Sequence, residues 1–327
     1  MPVNERTKKV LSVFLRISIS IILLIFLFRQ VDKKSLFNII RGANPWLLLS
    51  SFLVFGLTYT ISLYRWEMLL KAVHVHLSIK RIIISFSGGL FFNLFLPSTI
   101  GGDLVRSFDL ATHTKKPKEV VATVLLDRIS GYAGLVCVAI SALLLGYRLI
   151  QDKIVILITG FITVVLILIL LVIFNNFLFA KVNKFLHSPG DNRLRIALKD
   201  THQEMHYFRH HKPILLLNFI YSILIQVSAP LSFYLIALAL GIRTEAIYFF
   251  IFFPLVGAIT LLPISIGGLG LRDATTIYLF SKVGMAKNLA FAISITAFLF
   301  TLLIGATGGI IYVFTLHTRR IQYHQAL

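Results

Sequence analysis

Eight apolar stretches, at 10–28, 46–64, 82–100, 120–147, 154–180, 214–240, 246–266 and 288–316, dominate the chain. They are close to or beyond the ~20 residues a helix needs to cross a ~30 Å hydrocarbon core. Inside lipid no water satisfies backbone N–H and C=O groups, so a spanning segment must bond to itself as a helix or close into a barrel. Long continuous runs without strict alternation fit the helix. The expected fold is an all-α, polytopic helical membrane bundle. Composition agrees, with 57% hydrophobic and only 14% charged residues, where a soluble domain carries about 25% charged.

The net charge of +19 does not indicate nucleic acid. The Lys and Arg residues sit in short loops between apolar runs, where cytoplasmic flanks concentrate them. A basic membrane face favours anionic or phosphate-bearing lipids as partners. Arg6, Lys8 and Lys9 precede the first run, but no small-residue cleavage site follows it, so it reads as an uncleaved span. The single cysteine, Cys137, excludes an internal disulfide and thiolate metal sites and is expected to pack as a small core residue.

Two of the runs end in related phrases. LPSTIGGDLVR (Leu96 to Arg106) and LPISIGGLGLR (Leu262 to Arg272) match at six of eleven positions. Both runs are interrupted by Pro and Gly, so each either spans with a kink or turns back. With the N-terminus inside and all eight runs spanning, 12 Lys/Arg lie in the cytoplasm and 18 outside, which inverts the positive-inside rule. With the third and seventh runs re-entrant, the counts become 20 and 10. An all-spanning chain with its N-terminus outside gives 18 and 12. The re-entrant arrangement leaves about six full spans, puts both termini in the cytoplasm and separates the two phrases by three spans. The second phrase then enters from the opposite side, the inverted repeat common in transporters. The expected organisation is one integral membrane domain over 1–327, with related halves around 82–180 and 246–316. A basic loop at 181–213, holding five histidines, is expected to lie on the cytoplasmic membrane surface as a solvated helix.

The candidate site residues follow from these phrases. Pro97 ends the helix before it. Gly101 and Gly102 allow unusual backbone conformations and expose N–H groups. Asp103 is placed to cap or occupy the first turn of a following helix, and such a helix start favours an anion. Arg106 shares a face with Asp103 and can grip a phosphate. Pro263, Gly267, Gly268, Gly270, Arg272 and Asp273 repeat the pattern. Adjacent residues on a helix do not face each other, so Arg272 and Asp273 are expected to find partners elsewhere. Asp127 and Arg128 lie ~12 Å inside the fourth run by helical rise. Asp127 is expected to balance Arg106 or Arg272, or to carry a proton. Asn93, before the first break, either caps freed backbone or touches a ligand. Arg65 and Glu67 receive no chemistry, and Trp66 reads as an interface anchor. Gly305, Gly308 and Gly309 form a packing face. No catalytic triad, nucleotide loop, metal cluster or cofactor motif is present in the sequence.

NLFLPSTIGGDLVR, VLLDRISG and LPISIGGLGLRD resemble the lysylphosphatidylglycerol synthase transmembrane regions, a family also described as flippase-like, and the resemblance covers essentially the whole chain. It implies a polytopic bundle that moves or holds a polar-headed lipid. The first family motif maps onto Pro97, Gly101, Gly102, Asp103 and Arg106. The middle motif, usually Glu-Arg, reads Asp127-Arg128 here, and the last, which often ends in Glu, has Asp273. Both departures keep the charge. The bifunctional members carry a soluble transferase domain after the membrane region. This sequence stops eleven residues past its last apolar run, so lysyl transfer is not expected of it alone.

The expected function is therefore a lipid translocase of the cell membrane binding a phosphate-bearing lipid. The alternatives are a membrane enzyme or subunit of lipid or envelope modification, working with a separate transferase, and a structural scaffold.

Overall fold

In a computed structural model the chain is described at residues 33–96, 100–114, 116–146, 153–174, 211–260 and 265–325, and singly at 18, 25, 27, 29, 148, 181 and 208. The expected first span, Pro97, Pro263 and nearly all of the basic loop lie outside the described residues.

Ten helices carry the described chain: α1 (Lys33–Arg41), α2 (Pro45–Ala72), α3 (Ile79–Asn93), α4 (Ile100–Thr114), α5 (Pro117–Leu145), α6 (Lys153–Phe174), α7 (Lys212–Ala239), α8 (Ala246–Thr260), α9 (Leu271–Ser281) and α10 (Lys287–Gln325). Helix starts are written locally. Asn44 Oδ1 accepts the N–H groups of Trp46 and Leu47 at 3.0 and 3.2 Å, and Pro45 takes the first helical position, where its missing N–H costs nothing. Pro117 opens α5 in the same way.

Helices α2, α5, α7 and α10 are long and apolar enough to cross a membrane. Helix α6 is a shorter apolar helix. Helices α3 and α8 have 15 residues each, so they rise only ~22 Å and fall short of a hydrocarbon core. The exposed side chains suit lipid: Leu145, Phe108, Phe161 and Leu157 are among the most exposed large residues. The membrane-protein class expected from the sequence is the one that forms.

The described residues fall into two compact units. The first holds Ile84–Arg106 with the described residues up to Gly56 and those from Ala229 onward; the second holds Leu57–Ile83 and Ser107–Ser228.

In the first unit both Pro/Gly-broken segments turn back on themselves instead of kinking and continuing. In the first hairpin, a Cβ added at Gly102 would collide with the carbonyl oxygen of Gly89, and one added at Gly89 would stand 2.9 Å from that of Gly102. Ser85 Oγ donates to the Arg106 carbonyl at 3.0 Å. Partner numbers fall on one helix as they rise on the other, so α3 and α4 are antiparallel. In the second hairpin, Phe249 and Phe252 pack on Phe280 with ring centroids 4.8 and 5.1 Å apart. At the turn, a Cβ at Gly268 would meet Thr260 at 3.4 Å.

Helix α10 is the common wall. Ser294 contacts α9 at Arg272 and Asp273. Gly305, Gly308 and Gly309 lie against Leu94, Ser87 and Phe91 of the first hairpin. The small-residue face is thus used for close helix packing, as its sequence predicts.

In the second unit, Cys137 is exposed on α5, which corrects the expectation of a core position. The apolar run around it is lipid-compatible on all faces, so burial is not needed to shelter a thiol. Trp66 is fully buried and its Nε1 donates to Thr123 Oγ1 at 3.3 Å. It is a packing residue rather than an interface anchor, because α2 continues past the end of the apolar run to Ala72.

Candidate functional site

The first hairpin builds its turn from its own polar atoms. Helix α4 starts at Ile100, so Gly101 and Gly102 are helical and neither takes a positive φ. Their lack of a side chain serves close approach: a Cβ at Gly101 would strike Leu96, and one at Gly102 would strike Gly89 and Asn93. This corrects the expectation of glycines holding special loop conformations. Asn93 Oδ1 accepts the Gly102 N–H at 2.7 Å, so of its two expected roles it performs the capping one. Asp103 sits in the first turn of α4. It pairs with Arg106, Nε to Oδ1, at 3.0 Å, with both side chains at or below 10% exposure. The Arg106 guanidinium lies 5.7 Å from the Phe86 ring centroid, within cation–π range.

The second hairpin reaches a similar result by different geometry. Gly267, Gly268 and Gly270 have φ of +57°, +74° and +78°, values that only glycine adopts readily. Gly270 N–H donates to Asp273 Oδ2 at 2.9 Å. Arg272 Nη2 reaches Asp273 Oδ1 at 2.8 Å, although the residues are adjacent. In the first turn of α9 the Asp273 carboxylate turns back to the Gly270 N–H, where the long Arg272 side chain reaches it, so the expectation that they part is corrected. Ser294 Oγ donates to the same Asp273 oxygen at 2.6 Å and accepts from Arg272 Nε at 3.1 Å. Phe298 covers the guanidinium at 5.1 Å.

The two turns meet. The Cβ position of Gly267 is 3.4 Å from the Leu94 carbonyl oxygen and 3.7 Å from that of Asn93. The contacts along α10 fix the approach. The second hairpin touches Ser294 and Phe298 with its turn end, and the first touches Gly305 with its turn end and Tyr312 farther back. The hairpins therefore reach α10 from opposite ends, and their turns abut between 298 and 305, near the middle of the apolar stretch Lys287–Thr315.

The arrangement brings together Asn93, Gly101, Gly102, Asp103 and Arg106 on one side and Gly267, Gly268, Gly270, Arg272 and Asp273 on the other. Each arginine stands against an aspartate and an aromatic ring, so each turn carries a neutral, desolvated ion pair. Charges at such depth are tolerated only when paired.

Asp127 pairs with Arg65, a partner the sequence did not suggest. In the second unit its Oδ1 accepts from Arg65 Nε at 2.7 Å, and Arg65 Nη1 donates to Ser222 Oγ at 2.8 Å. Gly131 lies beside the guanidinium, with its Cβ position 3.6 Å from Arg65 Nη1. Arg128, the next residue on α5, is partly buried. Arg65, Ser222 and Ser294 are among the polar residues that sequence reasoning missed. Arg65 directly follows an apolar run and passes for a loop residue, yet Trp66, Leu69 and Leu70 continue the buried pattern. Among the described residues no three His, Cys, Asp or Glu side chains gather as a metal site.

Four long apolar helices and two short-helix hairpins meeting at charged turns define a polytopic helical membrane protein with paired broken segments. The chain belongs to the family of lysylphosphatidylglycerol synthase TM regions, whose model matches residues 13–309. It is similar to a UPF0104 membrane protein of Methanothermobacter thermautotrophicus, at 23% identity over 95% of each chain. A UPF0104 membrane protein of Pyrococcus horikoshii is 22% identical over 86% of this chain and 90% of the relative.

Proposed function

We propose that the protein is a lipid translocase of the cell membrane, with both termini in the cytoplasm. The observation that carries this reading is the meeting of two hairpins that approach α10 from opposite ends. Broken segments abutting in this way are how inverted-repeat transporters build a site at the membrane midplane. Family membership supports a lipid-related role.

The cargo is a lipid with a phosphate-bearing headgroup. Arg106 and Arg272 grip the phosphate bidentately by exchanging an aspartate partner for a phosphate oxygen. Asp103 and Asp273 hold the guanidiniums when no cargo is present, which keeps both arginines paired throughout the cycle. The lipid tails remain in the bilayer. Rocking of one repeat against the other alternates access.

The test is headgroup movement in proteoliposomes, across a panel of phospholipids and polyprenyl phosphates. The variants are Asp103→Asn/Arg106→Gln and Arg272→Gln/Asp273→Asn, each removing both charges of one pair so that no buried charge is orphaned. Movement by wild type that is lost in both variants supports the site. Full movement in either sinks the assignment of that pair. No movement of any lipid by well-folded protein favours a membrane subunit that works with a separate transferase.

A further inference from the structure

The second unit contains a cleft of about 440 Å³, within the usual range of ligand pockets. One wall is the C-terminal end of α2, with Tyr64, Met68 and Ala72; the other is the N-terminal end of α7, with Ile214 and Tyr221. Glu67 and Lys71 complete the lining as an i,i+4 ion pair at 2.8 Å. Lys71 is 56% exposed and Glu67 14%, so the ammonium stands at the mouth and the carboxylate further in. The stretch from Tyr64 to Ala72 runs ~12 Å along the helix, about the depth of a headgroup and the first part of an acyl chain.

Three observations indicate the occupant. First, this end of the unit is basic: Lys116 Nζ donates to the His74 carbonyl just past α2 at 3.1 Å, Lys80 stands at the start of α3 and Lys212 opens α7. Such a collar attracts the phosphates of nearby lipids. Second, the outer faces of both helices are apolar and exposed at Leu57, Leu216, Leu217 and Ile220. Third, Asn218 lies on α7 between Ile214 and Tyr221, at spacing that puts the three on one face. It is fully buried, yet neither its amide nitrogen nor its amide oxygen has a hydrogen-bond partner. A carboxamide left this way is costly, and it sits on α7 between the two residues of that helix that line the cleft.

We propose that this cleft is a dedicated binding site for one glycerophospholipid, separate from the paired turns. The phosphate meets Lys71, a headgroup hydroxyl or ammonium meets Glu67, and the upper acyl chain lies against Met68, Tyr64 and Ile214. The site does not depend on the translocase reading.

Native mass spectrometry of delipidated protein, titrated with dioleoyl phosphatidylglycerol, tests the assignment, with sn-glycerol 3-phosphate as the free-phosphate arm. Wild type is expected to retain one lipid and to ignore the free phosphate. Filling the cleft with Ala72→Trp, or removing its cation with Lys71→Gln, is expected to weaken that binding by about tenfold or more, a loss of at least ~1.4 kcal/mol. Unchanged binding in the filled cleft overturns the proposal, as does equal binding of the free phosphate. If Ala72→Trp does not fold, a photoreactive phenylalanine at Tyr64 is compared with one at Leu57, an exposed position on the same helix outside the cleft. Higher lipid crosslinking at Tyr64 supports the site, and equal yields overturn it.

Discussion

Arg65 and Asp127, sixty-two positions apart, meet Nε to Oδ1 at 2.7 Å with side chains only 7% and 5% exposed. Ser222 accepts a further bond from the same guanidinium, so one arginine ties α2, α5 and α7. Removing one member of a buried pair strands the other charge at about 3–5 kcal/mol. Arg65→Ala is therefore expected to destabilise the protein by that order in thermal unfolding in detergent. Arg65→Met/Asp127→Leu is expected to cost clearly less than the sum of the single changes. Additive losses would mean the pair is not coupled.

The tightest backbone approach predicts a sharp contrast between two glycines. Gly102→Ala would drive a methyl group into the Gly89 carbonyl, whereas Gly56 has nothing within 4 Å of its Cβ position. The first change is expected to cost about 1–3 kcal/mol, the usual range for overpacking. The second is expected to be neutral or stabilising by up to ~1 kcal/mol, from helix propensity. Midpoints of unfolding for the two variants side by side give the answer, and equal midpoints would contradict the hairpin geometry.

Asn93 caps the first hairpin, so its acceptor matters more than its donor. Asn93→Ala leaves the Gly102 N–H unsatisfied and is expected to cost about 1–2 kcal/mol. Asn93→Asp keeps an oxygen at that position and is expected to retain the hydrogen bond, at the cost of an added, partly buried charge. Hydrogen exchange at Gly102 reads this directly: faster in Asn93→Ala than in Asn93→Asp.

Asp273 accepts from Gly270, Ser294 and Arg272 together, and loss of so central an acceptor should exceed loss of any one donor. Asp273→Ala is expected to destabilise by about 3 kcal/mol or more, as an unpaired buried arginine does. Ser294→Ala removes one donor and is expected to cost about 1 kcal/mol. Equal losses in the two variants would deny Asp273 its central place.

Much of this was readable in the chain. The apolar runs predicted the helices, and the repeated Leu-Pro…Gly-Gly…Arg phrase located both breaks. Lys/Arg counts favoured turning back over crossing, and among the described residues α5, α6 and α7 lie between the hairpins. Pairing was harder to read. Arg65, Asp127 and Ser222 come from three distant helices, and nothing local marks which carboxylate an arginine chooses. The two Gly-Gly pairs look alike on paper but work differently. Gly101 and Gly102 are helical contact points, whereas Gly267 and Gly268 take positive φ. Identical dipeptides cannot reveal whether freedom of φ or absence of bulk is being used. Arg272 and Asp273 misled for a related reason, since neighbour rules for helix interiors fail at a helix start.

The caps at the two hairpin turns also bear on how the protein is made. Asn93 and Asp273 give a backbone N–H at each break a partner from the chain itself. Each hairpin can therefore close as soon as its own stretch, Ile79–Thr114 or Ala246–Ser281, has left the ribosome and entered the bilayer. Newly synthesised chains then hold both breaks closed with side chains that arrive in the same stretch of sequence.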